Sequence, residues 1–265
     1  MAKSTERGFT IIEVVLFLAI TGGLFAALMI GVNTGITQQR YLDSVRSYKA
    51  LLQNQYSEVL NTRNENVDKK CSLTNDGTVD DTGPLLTKGT SKCVILGRAI
   101  RIDSDSHGRN VITSSVTGYD TTGQDIDSNG VNDSDQISSS DDVTALKLYR
   151  PKVSDFDKES TEIDWGAYLT PVPPVSGSPE STSVVLILRS PATGLIRIFI
   201  SSQALTNYSD LSGAMTRGDL SVVDKLSSCI KGDSGLLPKQ VITIDPAIAS
   251  PDAVTTADST NGDCQ

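Results

Sequence analysis

Aromatic residues make up only 5% of this 265-residue chain, with one Trp, and there is one His. Each scarcity removes a class of function. Few aromatics and no basic run interleaved with them leave no platform for stacking bases, and a formal charge of –9 opposes phosphate binding. A general nucleic-acid surface is therefore not expected. No Gly-x-Ser-x-Gly elbow and no glycine-rich phosphate loop occurs. The sole histidine, His107, lies in Asp103-Ser104-Asp105-Ser106-His107-Gly108, between two strand patterns, and reads as a turn residue rather than part of a Ser-His-Asp triad. No catalytic residue, enzyme activity or organic cofactor is expected. The four cysteines form no Cys-x-x-Cys pair, and with one His they do not make a zinc site. What is abundant is Asp, Ser, Thr and Gly, the composition of an exported β-rich module with long polar loops.

Long apolar runs are missing everywhere but once. Residues 9–36 are almost continuously apolar, about 42 Å as a helix, against a bilayer core of about 30 Å. Lys3 and Arg7 precede the run, which orients its start toward the cytoplasm. The run's small-residue punctuation lies before it, at Gly8, and not after it as in a secretory signal peptide. A simple signal anchor accounts for all this except Glu13. A carboxylate inside a membrane segment is costly and usually has a partner.

The stretch Gly8-Phe9-Thr10-Ile11-Ile12-Glu13-Val14, after its short basic leader, resembles the N-terminus of type IV prepilins and type II secretion pseudopilins. The resemblance covers the N-terminal segment alone. It implies removal of residues 1–8 by a membrane prepilin peptidase, which cuts between Gly8 and Phe9, and N-methylation of the new Phe9 terminus. It further implies that Glu13 is an assembly residue, its carboxylate paired with the Phe9 amine of a neighbouring subunit; an i to i+4 pair within one helix is the alternative. Partners implied are copies of the chain or other pilins in a helical filament, the peptidase and methyltransferase, an assembly platform, and the inner membrane before assembly. The subunit would begin as a single-pass membrane protein with an exported head and end in an extracellular fibre. The chain departs from the common pilin pattern by having no proline near Ile30. Gly22, Gly23, Gly31 and Gly35 stand there with Asn33 and Thr34, which predicts softening around 31–35, or close packing through Gly31-x-x-x-Gly35.

Beyond Ile36 apolar residues recur at three and four: Tyr41, Val45, Tyr48, Leu51, Leu52, Val59 and Leu60. This predicts an amphipathic continuation over 37–63, ending among the asparagines of 61–66. The exported head, 64–265, reads as strands over 93–102, 110–119, 143–150, 163–170, 183–189 and 195–201, the last two a hairpin around Ser190-Pro191-Ala192-Thr193-Gly194. An edge strand is expected at 241–244 and a short helix at 202–208 or 220–226. Trp165 and Tyr168 are expected in the core. The fold class is α+β: a long N-terminal helix packed on an antiparallel sheet, pilin-like, with strands and helix sharing one core.

Residues 120–142 and 171–183 look like loop insertions, and 246–265 like a polar tail. In the first insertion, Asp125, Asp127, Asn129, Val131, Asp133 and Asp135 alternate with spacers around Gly130. Oxygen donors at every second position with a turn glycine at the sixth suit calcium. The loop resembles those of EF-hands, dockerins and thrombospondin type 3 repeats, but Gln136 stands where an EF-hand has its bidentate Glu. Cys71, Cys93, Cys229 and Cys264 lie outside the membrane segment, and an even count in an exported chain predicts disulfides with three connectivities open. Nearness in sequence favours Cys71–Cys93 and Cys229–Cys264. Three functions follow: a principal pilus subunit serving attachment, motility or DNA uptake; a minor pilin or pseudopilin; and, from another class, a monomeric membrane-anchored binding module.

Overall fold

The computed structural model describes residues 10–61, 72–73, 79–80, 92–102, 108–119, 146, 149–154, 157–172, 183–191, 193–201, 220–223, 225–232, 239–248 and 250–259. It has one long helix, α1 (Ile11–Leu60), followed by antiparallel strands. The α+β class is therefore observed.

The upper half of α1 is held by the stripe that its sequence encodes. Tyr41, Val45, Tyr48, Leu52, Tyr56 and Val59 are buried, each three or four residues after the last, so they line one face of the helix. The helix ends at Leu60, where Arg189 Nη1 donates to the otherwise orphaned carbonyl at 3.0 Å.

Two very short strands, β1 (Ser72–Leu73) and β2 (Val79–Asp80), pair with each other. The main sheet is built on β3 (Cys93–Ile102) and β4 (Asn110–Tyr119), both with the limits expected from sequence. It adds β5 (Lys152–Val153), β6 (Glu159–Glu162), β8 (Ser183–Arg189), β9 (Ile196–Ser201) and β10 (Leu220–Val223). Its order is β10-β9-β8-β3-β4-β5, with β6 also on β4. Gly97 lies at an irregularity in the β3 register, and a Cβ there would stand 2.0 Å from the Ile187 carbonyl oxygen, so no larger residue fits. The β8–β9 hairpin closes as expected, with Ser190 N–H bonded to Leu195 O at 2.8 Å and Gly194 in the left-handed region at φ 75°.

A second sheet of four strands runs β13-β12-β11-β7, from β7 (Tyr168–Val172), β11 (Leu226–Lys231), β12 (Gln240–Ile244) and β13 (Val254–Asp258).

Several expectations are corrected. Among the described residues there are two cores, not one. One lies between α1 and both sheets, and includes Tyr48, Tyr56, Ile187, Ile198, Ile230 and Ile242. The other covers the far face of the main sheet with Leu96, Val116, Val184, Leu186, Leu188 and Phe199. Strand β8 alternates between them, so both of its faces are dry and its sequence is an unbroken apolar run. The segment 143–150 is not a strand at its described positions: Leu146 is helical, and Arg150 has φ 50°. Residues 220–223 form β10, not a helix. Strand β12 is internal rather than an edge, because β13 pairs outside it. Strand β13 comes from the segment expected to be a polar tail, and Ala253 and Val254 at its start are buried. The whole first insertion, 120–142, residues 173–182 of the second, 202–208 and His107 lie outside the described residues.

Candidate assembly surface

The lower half of α1 is bare. Every large apolar residue from Ile11 (84% exposed) to Ile36 (42%) faces outward, with Phe17, Leu24, Phe25 and Ile30 among them. Its most apolar window has a mean hydropathy of 2.4 and buries nothing. Among the described residues it is the one helix long and apolar enough to cross a membrane. A bare surface of this size has no stable place in water.

At its start Thr10 is the N-cap. The Thr10 hydroxyl accepts the Glu13 N–H at 3.3 Å, and the Thr10 carbonyl accepts Val14 N–H at 3.2 Å. Thr10-Ile11-Ile12-Glu13 has the Thr-x-x-Glu spacing of a capping box, and Glu13 sits in the first turn, where the helix dipole favours negative charge. Part of the Glu13 puzzle is thereby local: the carboxylate suits a helix start whatever it meets elsewhere. That signal was present in the sequence. Gly8 and Phe9 lie outside the described residues.

The helix is unbroken across 31–35. Thr21, Thr34 and Thr37 return their hydroxyls to the carbonyls of Phe17, Ile30 and Asn33 at 2.8–3.0 Å, which satisfies them inside an apolar setting. A Cβ built on Gly22, Gly23, Gly31 or Gly35 meets nothing within 4 Å, so nothing inside the chain requires these residues to be small.

The upper half is fixed to the head by polar groups as well as by its apolar stripe. The Tyr41 hydroxyl donates to Ile230 O at 2.9 Å and accepts Gln240 N–H at 3.0 Å. The Tyr56 hydroxyl donates to Ile248 O at 2.8 Å, and Ser44 Oγ to Asp164 O at 2.7 Å. Burial pushes the phenols of Tyr41, Tyr48 and Tyr56 above their usual range; the Tyr48 phenol bonds Ser228. Arg98, on β3, reaches across to the helix: Nε lies 2.7 Å from Gln55 Oε1 and 3.0 Å from Glu58 Oε2. Its Nη1 lies 2.6 Å from Asp157 Oδ2 and 2.7 Å from Ser115 Oγ, and Asp157 also accepts the Ser115 N–H and hydroxyl. No sequence pattern marked Arg98 or Asp157.

Trp165 is not in the core. It is 58% exposed, in a turn of 3-10 helix (Asp164–Gly166), with the Arg40 guanidinium 4.7 Å from its ring centroid. Tyr168 is half-buried.

Cys93 and Cys229 are buried and neither is free; both are disulfide-bonded. Cys71 and Cys264 lie outside the described residues, as do Asp125, Asp127, Asn129, Val131, Asp133 and Asp135. Among the described residues no cluster of metal-ligating side chains occurs. No family model matches the chain, and no curated protein or solved structure matches it.

Proposed function

We propose that this chain is a subunit of a type IV pilus or a related filament, polymerising through the lower half of α1. The carrying observation is one continuous helix that is bare and apolar over its first half and buried in an α+β head over its second. In a membrane the bare half is a single span; in a fibre the same surface packs against other copies, in a pilin-like arrangement. The exposed Gly31-x-x-x-Gly35 spacing supports close approach of a neighbouring helix. Glu13 then pairs with the amine that cleavage after Gly8 creates on Phe9, while its own helix cap holds it in the first turn. Cys71–Cys93 and Cys229–Cys264 are the disulfides of the head, and the 125–135 loop takes calcium.

The absence of proline from the whole helix favours a second reading, a minor pilin or pseudopilin. A membrane-anchored binding module that stays monomeric is the reading from another class. Mass spectrometry of the N-terminal peptide, from sheared surface fibres and from membranes, separates all three. Methylated Phe9 in abundant fibres marks a principal subunit. Methylated Phe9 confined to membranes, or present in traces in fibres, marks a minor pilin or pseudopilin. An intact N-terminus ahead of Gly8 overturns the filament reading.

A further inference from the structure

We infer that Trp165, held by Arg40, is an interfacial anchor that seats the head on a phospholipid bilayer before assembly; this rests on reading the lower half of α1 as a membrane span. Trp165 stands at the end of the head where the bare helix emerges. Arg40 is four residues past Ile36, about 6 Å along the axis, and the headgroup layer is about 5–7 Å deep on each side of the core. Both side chains therefore fall at the depth where Trp rings and Arg guanidinium groups gather, the ring at the top of the acyl chains and the cation at the phosphates.

The local structure presents this pair outward. Trp165 has φ 60° and ψ 27°, a left-handed conformation that bulky residues rarely adopt, and Gly166 follows at φ 72°. The Asp164 carbonyl is tied to the helix by Ser44 Oγ at 2.7 Å, and Leu169 N–H is tied to Gly108 O at 3.0 Å. The turn is thus fixed on both sides while its indole points away from the core, at 58% exposure. The Arg40 guanidinium lies over the ring, 4.7 Å from its centroid, where it both sets the indole and neutralises lipid phosphate.

The span lengths agree at the opposite membrane face. Glu13 is 23 residues before Ile36, about 35 Å by helical rise, which exceeds the ~30 Å core. With Trp165 in one headgroup layer, Glu13 reaches the other, so its charge meets water and lipid heads until the helix leaves the membrane.

Because Trp165 is the sole tryptophan, its emission reports one site. The full chain is reconstituted into phosphatidylcholine–phosphatidylglycerol vesicles whose acyl chains carry bromine near the headgroup or deep in the core. Vesicle flotation checks that the chain is inserted. The expected result is quenching severalfold stronger by shallow than by deep bromines, protection from aqueous iodide, and loss of the depth preference in Arg40→Gln. A floating chain whose emission ignores both bromolipids overturns the anchor: iodide quenching then shows Trp165 in water, and iodide protection shows it against another copy. A chain that does not float overturns the membrane span instead.

Discussion

The Tyr41 hydroxyl bridges Ile230 and Gln240, donating to one backbone at 2.9 Å and accepting from the other at 3.0 Å, across 189 residues of sequence in the first case. It sits where the helix leaves the bare segment and enters the head, so it joins α1 to the facing ends of β11 and β12. Tyr41→Phe keeps the ring and strands a carbonyl and an N–H together. The expected loss is about 1–3 kcal/mol, read as a lower urea midpoint for the detergent-solubilised chain. An unchanged midpoint would show that water replaces the hydroxyl at no cost.

Arg98 and Asp157 should be energetically coupled. Arg98 is 12% exposed and contacts Gln55, Glu58, Ser115 and Asp157 at once, so it ties the helix to β3 and β4. Removing either partner leaves the other's hydrogen bonds unmade in a partly dry site. Arg98→Met and Asp157→Ala are each expected to cost about 2–3 kcal/mol, with a coupling of about 1–2 kcal/mol in the double-mutant cycle. Simple additivity of the two losses would remove the pair from the account of how the helix is held.

The raised phenol pKa of Tyr48 makes stability fall at alkaline pH. Burial is the main cause, opposed by the hydrogen bond with Ser228. An unfolded tyrosine ionises near pH ~10, whereas the folded one still holds its proton there. The stabilisation is full below that pH and declines as pH rises above it. Tyr41 and Tyr56 share the direction. Phenolate absorbance should therefore appear together with unfolding for these side chains, and Tyr48→Phe should flatten the alkaline limb of the melting-temperature curve. A wild-type curve already flat above pH ~10 would contradict this.

How far the sequence reveals this fold depends on whether a signal is local. Strands β3, β4 and β8 have the limits their β-rich runs suggested, and the stripe from Tyr41 to Val59 predicted the buried face of α1. Strand β6 is Glu-Ser-Thr-Glu and β13 is Val-Thr-Thr-Ala-Asp; both expose most of their side chains, so no apolar alternation marks them, and only pairing with β4 and β12 makes them strands. Trp165 misled because an aromatic near strand-like residues suggests a core position, while its turn is set by the following glycine and by Ser44, remote in sequence. Arg98 carries no local mark either: its partners span from Gln55 to Asp157, and only the folded chain collects them.

Calcium should raise the melting temperature of the head if the 125–135 loop binds it. Sites of this kind outside the cell are weak, with dissociation constants of about 0.1–1 mM. Millimolar calcium is expected to raise the midpoint by a few degrees in the wild type and not at all in Asp127→Ala. The absence of any rise in the wild type would dismiss the site.

Glu13 has two candidate roles, and Gln separates them. A helix cap of the Thr-x-x-Glu kind accepts Gln at its third position, because an amide oxygen can still accept the backbone N–H. An ion pair with a Phe9 amine cannot use Gln, since the neutral side chain leaves the cation uncompensated in an apolar setting. If pairing drives assembly, Glu13→Gln and Glu13→Ala should be cleaved normally after Gly8 and should both fail to yield sheared fibres, with subunits retained in the membrane. If capping is the whole role, Glu13→Gln should assemble like the wild type, and only Glu13→Ala should lose helix-start stability. Fibre yield from the Gln variant therefore decides whether the carboxylate's charge or its hydrogen-bonding shape is what assembly uses.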